Sequence, residues 1–127
     1  MVTLNVSGHD SIIALVLCPD GASFTINATL EFNNSWISNI VTIGDDDYNT
    51  MISNGCVFLP VSGYYSYNSD YYGWFDKGGY GYYWSSTANV NYYAYYLYFF
   101  SDGGINADFD SDKADYYFPV RLVQESN

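Results

Sequence analysis

The sequence predicts a single α+β domain in which short strands and loops outweigh the helical content. Three observations lead to this class. The N-terminal third alternates apolar and polar residues with a period of two, as half-buried strands do. One helical pattern follows, beginning near residue 45. After residue 64 glycine and aromatic residues dominate without a helical period, which is typical of strands joined by loops.

The N-terminal part is predicted to be rich in β-structure. Residues 2–6 alternate between apolar and polar side chains, and the polar residues 7–10 predict a turn. The apolar run 12–17 predicts a short buried strand that ends at the Pro-Asp-Gly sequence of residues 19–21. In residues 24–32 every second residue is apolar, so we expect a strand with one side exposed to solvent.

A helix is predicted from Asp45 to Asn54. The three consecutive aspartates at 45–47 place negative charge at the positive end of the helix dipole, and we expect them to cap the helix. Gly55 is suited to the left-handed conformation that ends many helices. The same acidic triplet could instead form a metal site, an alternative that the sequence leaves open. The predicted buried face consists of Tyr48, Met51 and Ile52.

Aromatic residues are the unusual feature of the composition, with sixteen Tyr, eight Phe and three Trp among 127 residues. All but one of the Tyr lie between Tyr64 and Tyr117, mixed with Asp, Asn, Ser and Gly. Tyr offers a large apolar ring and a hydroxyl while losing little conformational entropy, so a Tyr excess is typical of recognition surfaces. We therefore expect this region to carry a ligand-binding surface.

The charge balance is strongly acidic, with fourteen Asp and Glu against three Lys and Arg. A field of this sign repels phosphate backbones and anionic lipid surfaces. No apolar run reaches the length of a membrane-spanning helix, and no signal peptide is recognisable. The sequence therefore predicts no nucleic-acid partner and no membrane insertion.

Alternation inside the aromatic-rich region predicts which rings are exposed. If the odd-numbered residues of 95–99 face the core, the even-numbered positions project outward. A row of outward aromatic side chains forms an exposed apolar patch, which is typical of an interaction site. The rings placed outward are Tyr96, Tyr98 and Phe100.

Residues able to catalyse a reaction are few. His9 is the only histidine and lies far in sequence from Cys18 and Cys56, so a Cys–His nucleophile pair is not indicated. Ser85 and Ser86 have no evident base. Both cysteines lie in apolar runs, which favours buried free thiols, with a disulfide between them as the alternative. We therefore expect a protein that is not an enzyme and that binds no cofactor.

An acidic cluster near the C-terminal end resembles the start of a calcium-binding loop. Asp108, Asp110 and Asp112 have the opening spacing of an EF-hand, but Lys113 and Pro119 stand where a glycine and a glutamate are required. A solvated acidic loop is the favoured interpretation, and no metal ligand is assigned. A looser calcium site built from these carboxylates is the alternative.

Four segments resemble a known family: NGCVFLPVSGYY at 54–65, GYGYYWSST at 79–87, AYYLYF at 94–99 and FPVRLV at 118–123. In this order they resemble the C-type-lectin-fold variable proteins of diversity-generating retroelements, which occur in phages and gut Bacteroides-type bacteria. The resemblance covers residues 44–124. It implies a C-type-lectin-like fold with short antiparallel sheets, one or two helices and long loops. It also implies hypervariable ligand-contacting positions, rewritten by adenine-directed mutagenesis.

The domain is expected to consist of four parts. These are a β-rich part at 1–43, a helix with connecting scaffold at 44–63, a variable ligand-binding region at 64–117, and a closing strand with tail at 118–127. The residues expected to contact the ligand are Tyr65, Tyr67, Asn68, Asp70, Tyr71, Tyr72, Tyr82, Asn91, Tyr92, Tyr93, Tyr96, Tyr98, Phe100, Asp102, Asp108, Phe109, Asp110, Asp112, Asp115, Tyr116 and Tyr117. The expected scaffold consists of Trp84, Ser85, Ser86, Leu97, Phe99, Val120 and Leu122, with Tyr83 buried against it. Trp74 and Phe75 stay ambiguous, since an apolar pair beside a glycine could plug a loop.

The function implied is that of a receptor-binding or adhesion domain, whose Tyr-, Asp- and Asn-rich face recognises a surface protein or a glycan. The expected location faces the exterior, on a phage virion or a bacterial cell surface, and a homo-oligomer is left open. Two rivals are a calcium-dependent carbohydrate-binding lectin and an adhesin tip domain without diversification. An enzyme of the formylglycine-generating type is disfavoured, because its paired cysteines have no counterpart near the C-terminal end here.

Overall fold

The computed structural model describes residues 1–19, 23–33, 36–37, 39–67, 72–88, 92–100, 104–112 and 115–120. Within them the backbone forms twelve strands and one helix, α1 (Asp45–Ser53). The strands are β1 (Val2–Leu4), β2 (Ile12–Leu17), β3 (Phe32–Asn33), β4 (Trp36–Ile37), β5 (Val41–Ile43), β6 (Val57–Pro60), β7 (Tyr64–Tyr67), β8 (Tyr72–Phe75), β9 (Tyr80–Ala88), β10 (Tyr93–Phe100), β11 (Ile105–Asp112) and β12 (Tyr116–Tyr117). The chain divides into two compact units, of which the first contains β1 to β6 with α1 and the second contains β7 to β12.

The first two predicted strands are confirmed. β1 buries Val2 and Leu4, as the alternation predicts, and β2 covers the apolar run Ile12–Leu17. The turn between them is also confirmed, since the His9 N–H donates a hydrogen bond to the Val6 carbonyl at 3.2 Å. In the sheet of the first unit, β1 lies between antiparallel β2 and parallel β5, and β2 also pairs with β4 and β6.

The core of the first unit combines one side of this sheet with α1. Val2, Val16 and Ile43 are fully buried and form one cluster with Met51 of the helix. Burying an aliphatic side chain of this size contributes roughly 1.5–3 kcal/mol. Cys18 and Cys56 belong to the same cluster, both as buried free thiols, as the sequence predicts.

The predicted helix is confirmed, and it ends one residue earlier than expected. Gly55 follows it with a φ of 84°, the left-handed conformation predicted there. Met51 is fully buried and Tyr48 packs half-buried against the core, but Ile52 is 47% exposed. Successive helical residues are rotated by about 100°, so the position after the fully buried Met51 turns toward solvent.

The aspartates at the start of α1 do not cap it, contrary to the prediction. The N-cap residue is Gly44, and no side chain caps the helix. Asp45 instead accepts hydrogen bonds from the Ser7 hydroxyl and N–H, at 2.5 and 2.8 Å, which lower the pKa of its carboxyl. Asp47 is buried and accepts the backbone N–H groups of residues 27–28 at 2.8 and 2.9 Å. These carboxylates therefore organise neighbouring loops while lying at the positive end of the helix dipole.

The strand predicted over residues 24–32 is wrong for all but its last residue, since pairing begins at β3. The alternation in burial is nevertheless present, because Phe24, Ile26, Ala28 and Leu30 pack partly buried against the core. The segment stays outside the sheet because side chains satisfy several of its backbone groups. Asp47 accepts two N–H groups, and the Asn39 amide bonds to Glu31 N–H and the Thr29 carbonyl.

Two three-stranded antiparallel sheets make up the second unit, in the orders β11-β10-β9 and β12-β7-β8. Their backbones meet at Gly63 and Gly81, which form an isolated parallel bridge, and the Gly63 N–H donates to the Tyr80 carbonyl at 2.9 Å. A Cβ atom on Gly63 would collide with the Phe75 carbonyl oxygen, and one on Gly81 with the Phe99 ring. Both positions therefore require glycine.

The predicted C-type-lectin-like α+β fold is wrong, because the structure is mostly β-sheet with three small sheets and one helix among the described residues. The longest strands, β9, β10 and β11, occupy the region that was expected to be rich in loops. Tyr, Phe, Trp and Thr fit the pleated surface of a sheet, so the aromatic residues extend strands instead of populating loops.

The closing strand predicted at Phe118–Val123 does not form over residues 118–120, and its last three residues lie outside the described part of the chain. Pairing ends with β12, just before Pro119, which has no N–H to continue a ladder. The Pro119 carbonyl still accepts the Trp84 N–H at 3.3 Å.

Replacing Asp47 with alanine is expected to destabilise the first unit. The change leaves two backbone N–H groups without their charged acceptor, and such hydrogen bonds contribute about 1.5–3 kcal/mol. We expect the free energy of unfolding, measured by urea denaturation, to fall by roughly 2–4 kcal/mol. Asp46→Ala is the control, because Asp46 is exposed and a surface change costs about 0.5 kcal/mol or less. Equal losses in the two variants would contradict this role of Asp47.

Candidate functional site

Strand alternation sorts the aromatic residues of the sheet β12-β7-β8 onto its two sides. On β7, Tyr65 contacts Trp74, whereas its neighbour Tyr64 contacts Tyr82 and Phe118 on the other side. Side chains of the same side lie opposite one another across the strands. We call the side that carries Tyr65 the outer face, and its aromatic residues are Tyr65, Tyr67, Tyr72, Trp74 and Tyr117.

The strand register pairs these five rings. Tyr65 lies opposite Trp74 on one side and Tyr117 on the other, and Tyr67 lies opposite Tyr72. The ring centroids are 5.1, 6.1 and 5.2 Å apart in these three pairs. The interplanar angle is 79° between Tyr65 and Trp74 and 52° between Tyr67 and Tyr72. Since the rings are steeply inclined to one another, the surface that they form is ridged.

The outer face is largely open to solvent. Tyr67, Tyr72, Trp74 and Tyr117 are 57, 64, 63 and 53% exposed, and Tyr65 lies half-buried among them. The neighbouring Tyr72 hydroxyl, as a hydrogen-bond partner, is the largest cause of the raised pKa of Tyr65. Clusters of exposed aromatic side chains are typical of interaction surfaces.

A second group of rings joins the two sheets of the second unit. Phe118 is only 8% exposed, and its ring centroid lies 4.3 Å from Trp84, 4.8 Å from Tyr96 and 5.1 Å from Tyr82. Tyr64 of β7 completes the connection, at 4.7 Å from Tyr82. Each aromatic pair contributes about 0.5–1.5 kcal/mol beyond its buried area. We call this group the inner layer: Tyr64, Phe75, Tyr82, Trp84, Tyr96, Tyr116 and Phe118.

The turn after β8 places charges of both signs beside the rings. The Lys77 Nζ atom lies 4.6 Å from the centroid of the Trp74 ring, a cation–π contact at the outer face. Asp76 has a φ of 61° and accepts a hydrogen bond from the Tyr82 hydroxyl at 2.7 Å. Burial, and then this hydrogen bond, raises the pKa of Tyr82, which keeps the inner-layer phenol uncharged.

The aromatic residues predicted to contact a ligand lie in several different environments. Those on the outer face are Tyr65, Tyr67, Tyr72 and Tyr117. Those in the inner layer are Tyr82, Tyr96 and Tyr116, all half-buried. Tyr98 and Phe100 pack with Tyr80, and Phe109, which is 47% exposed, packs with Tyr96 and Tyr98. The predicted exposed row of Tyr96, Tyr98 and Phe100 is therefore wrong, because these three rings are half-buried among their neighbours. Tyr92 and Tyr93, at the start of β10, are 73 and 42% exposed.

The structure describes only some of the residues predicted to make polar contacts with a ligand. Asp115 is half-buried, and its carbonyl accepts the Tyr67 N–H at 2.7 Å beside the outer face. Asp108, Asp110 and Asp112 belong to β11, but their side chains lie outside the description, so the calcium alternative stays a prediction. Asn68, Asp70, Tyr71, Asn91 and Asp102 lie outside the described residues.

Sequence reasoning leaves Trp74 ambiguous, whereas the structure places it on the outer face. The signal that could have identified it is the period-two spacing from Tyr72 to Trp74, since a strand puts these two rings on one side. Of the two interpretations left open, Trp74 is therefore a surface residue and does not plug a loop. Its neighbour Phe75 points to the other side and stacks on Tyr64 at 5.5 Å.

The predicted scaffold is only partly correct. Tyr83 and Phe99 are buried, and their rings stack at 5.9 Å with an interplanar angle of 9°. Ser85 and Ser86 are exposed, and so is Val120 at 61%, because the chain has left the sheet there. Trp84 and Leu97 are half-buried, and Leu122 lies outside the described residues.

The first unit has a small apolar cavity of about 230 Å³ lined by Leu4, Val6, His9, Asp10, Ile12 and Tyr48.

In the part of the chain that the structure describes, no three His, Cys, Asp or Glu side chains are grouped to hold a metal ion. The helix that it describes is too short and too polar to cross a membrane.

Residues 23–123 match the family described as a domain of unknown function, DUF8237, and the chain belongs to this family. The matched region includes all the strands of the outer face and of the inner layer. No curated protein and no solved structure is significantly similar to the chain.

Gly63→Ala is expected to disrupt the support of the outer face. The alanine would have to adopt a φ of 67°, which is unfavourable for a residue with a side chain. Its Cβ would also displace the backbone around Phe75. Gly78→Ala is the matched control, with a similar φ of 77° and nothing within 4 Å of its Cβ. The control should lose only the about 1–2 kcal/mol of left-handed strain. Urea denaturation followed by near-ultraviolet circular dichroism should show a several-fold larger loss for Gly63→Ala; equal losses would contradict the close approach.

Proposed function

We propose that this DUF8237 protein is a ligand-binding domain for adhesion or receptor recognition, and that it contacts a protein surface through its outer face. The observation that carries the proposal is the set of five aromatic side chains on one side of the sheet β12-β7-β8. Interaction hot spots are enriched in Tyr and Trp, and rings held by their neighbours lose little entropy when a partner docks.

The inclination of the rings favours a protein ligand over a flat glycan. A chain of sugar rings stacks best on coplanar aromatic faces, whereas Tyr65 stands at 79° to Trp74 and at 75° to Tyr72. This arrangement exposes ring edges, hydroxyl groups and clefts between rings. Side chains of a protein partner can enter such clefts and meet both apolar and hydrogen-bonding groups.

Charge favours a neutral or basic partner. The chain carries a formal net charge of −11, so an acidic protein is repelled at long range. Close to the rings, Lys77 already places its ammonium on Trp74, which supports the idea that this ring accepts a cation. A Lys or Arg side chain of the partner would meet the same ring chemistry.

The outer face is also suited to diversification, and we propose that the chain is a variable protein displayed on a virion or cell surface. Four of its five rings are more than half exposed, so replacing them removes little buried area. The inner layer holds the sheets together without them. Single contacts could be weak, and many copies on one particle would raise the overall avidity.

Adhesion to intact cells tests the binding surface. Beads densely coated with the protein would be mixed with a panel of gut bacteria, with and without protease treatment of the cells. Truncating two contact rings costs about 1–2 kcal/mol each, so Tyr67→Ala combined with Trp74→Ala should weaken retention at least about tenfold. Ile52→Ala is the control, because it removes an exposed apolar side chain from the first unit. Unchanged retention in the double variant would contradict the proposed face, and retention that survives protease would point to a glycan.

Population sequencing of the gene tests diversification. We expect substitutions at adenines in the codons for Tyr65, Tyr67 and Tyr72, because these side chains do not build the core. The codons for Tyr64 and Phe118 should be spared, since both rings join the sheets of the second unit. Equal substitution in the outer-face and inner-layer codons, or no substitution in either group, would contradict diversification. The outer face would then be explained by one fixed partner.

A further inference from the structure

We propose that Cys18 and Cys56 are a redox pair, which a small disulfide such as glutathione disulfide converts into an intramolecular disulfide bond. The proposal concerns the first unit and is independent of the proposed function. Cys18 directly follows β2, and Cys56 directly precedes β6. The two strands are antiparallel neighbours, so their ends meet.

Strand register places the two cysteines opposite each other. Leu17 pairs with Val57 at the end of the ladder, and continuing this register by one residue sets Cys18 opposite Cys56. The Cys56 N–H is bonded to the Met51 carbonyl at 3.0 Å, so the cysteines do not exchange a pair of ladder hydrogen bonds. Opposite residues at such positions have Cα atoms about 4.5 Å apart, with their side chains close together. This separation falls within the range of about 4.4–6.8 Å that a disulfide spans.

The surroundings of the pair are expected to slow its oxidation in the folded protein. Cys18 and Cys56 are only 6 and 4% exposed and lie in the core cluster of the first unit. Burial, together with a hydrogen bond to Cys56, raises the pKa of Cys18 to about 12. Burial also raises the pKa of Cys56, although its hydrogen bond with Cys18 acts in the opposite direction. The thiolate that must attack a disulfide is therefore scarce in the closed structure.

The reaction proceeds by two exchanges. During folding or local opening, the Cys56 thiolate attacks one sulfur of glutathione disulfide, forming a mixed disulfide and releasing one glutathione thiolate. The Cys18 thiolate then attacks the Cys56 sulfur, forming the protein disulfide and releasing the second glutathione. Two electrons and two protons pass from the cysteines to the two glutathione molecules. The order of the two attacks is interchangeable, because opening frees both thiols and the products are the same.

The bond would tie together the ends of a loop that contains β3, β4, β5 and α1. Closing a loop of this length restricts the unfolded chain far more than the folded one, where the ends already meet. In any oxidising compartment, where disulfides persist, the oxidised form would be the working state.

The test is refolding of the intact chain in excess glutathione disulfide and, separately, in excess reduced glutathione. We expect the first sample to contain no free thiols in denaturant, to have lost two hydrogens in mass, and to yield a peptide with Cys18 joined to Cys56. Its Tm should exceed that of the reduced sample by about 10 °C or more. The Cys18→Ala variant should show no such difference between the two buffers. Two free thiols, or only intermolecular disulfides, after oxidative refolding of the intact chain would overturn the proposal.

Kinetics provide a second measurement that does not depend on a variant. The folded reduced protein should oxidise at least about tenfold more slowly than the same protein in urea just below its unfolding transition, because opening frees the thiols. Equal rates would overturn the assignment of the pair to a closed core.

Discussion

Contact between aromatic rings on the inner sides of two small sheets is the interaction on which the second unit depends. The sheet β12-β7-β8 has strands of two to four residues, too few to be stable alone. Phe118 and Tyr64 join it to the rings of β9 and β10. Because adjacent residues of a strand point to opposite sides, anchoring Tyr64 inward turns Tyr65 outward. The outer face is thus a consequence of the inner layer.

The same residue type therefore serves two physical purposes. Inner-layer Tyr side chains bury their rings and keep a partner for the hydroxyl, as Tyr82 does with Asp76. Outer-face Tyr side chains contact mainly one another and leave ring edges open to solvent. Replacing an inner ring removes a contact between sheets, whereas replacing an outer ring changes only the surface. This separation allows a binding face to vary while the fold stays constant.

Glycine and aspartate complete the arrangement by permitting and organising close approaches. Gly63 and Gly81 let two backbones meet where any Cβ would collide. Asp47 holds residues 27–28 to the helix by accepting hydrogen bonds from their two backbone N–H groups. Neither role follows from local sequence, since the partners lie many residues away. Two of the three acidic residues that suggested a cap or a metal site, Asp45 and Asp47, therefore accept hydrogen bonds from backbone N–H groups.

The sequence by itself determined β1, β2, α1, the left-handed Gly55, the buried cysteines and the aromatic surplus after residue 64, because these features depend on local periodicity and composition. It also predicted the alternating burial of residues 24–30, but not that this segment would stay outside the sheet. Only the tertiary structure decided how far the aromatic residues extend strands beyond the alternation predicted at 95–99, and that Trp74 is exposed while Phe118 is buried. Period-two alternation specifies that neighbouring rings face opposite ways, but which side is covered depends on a sheet contributed by distant residues.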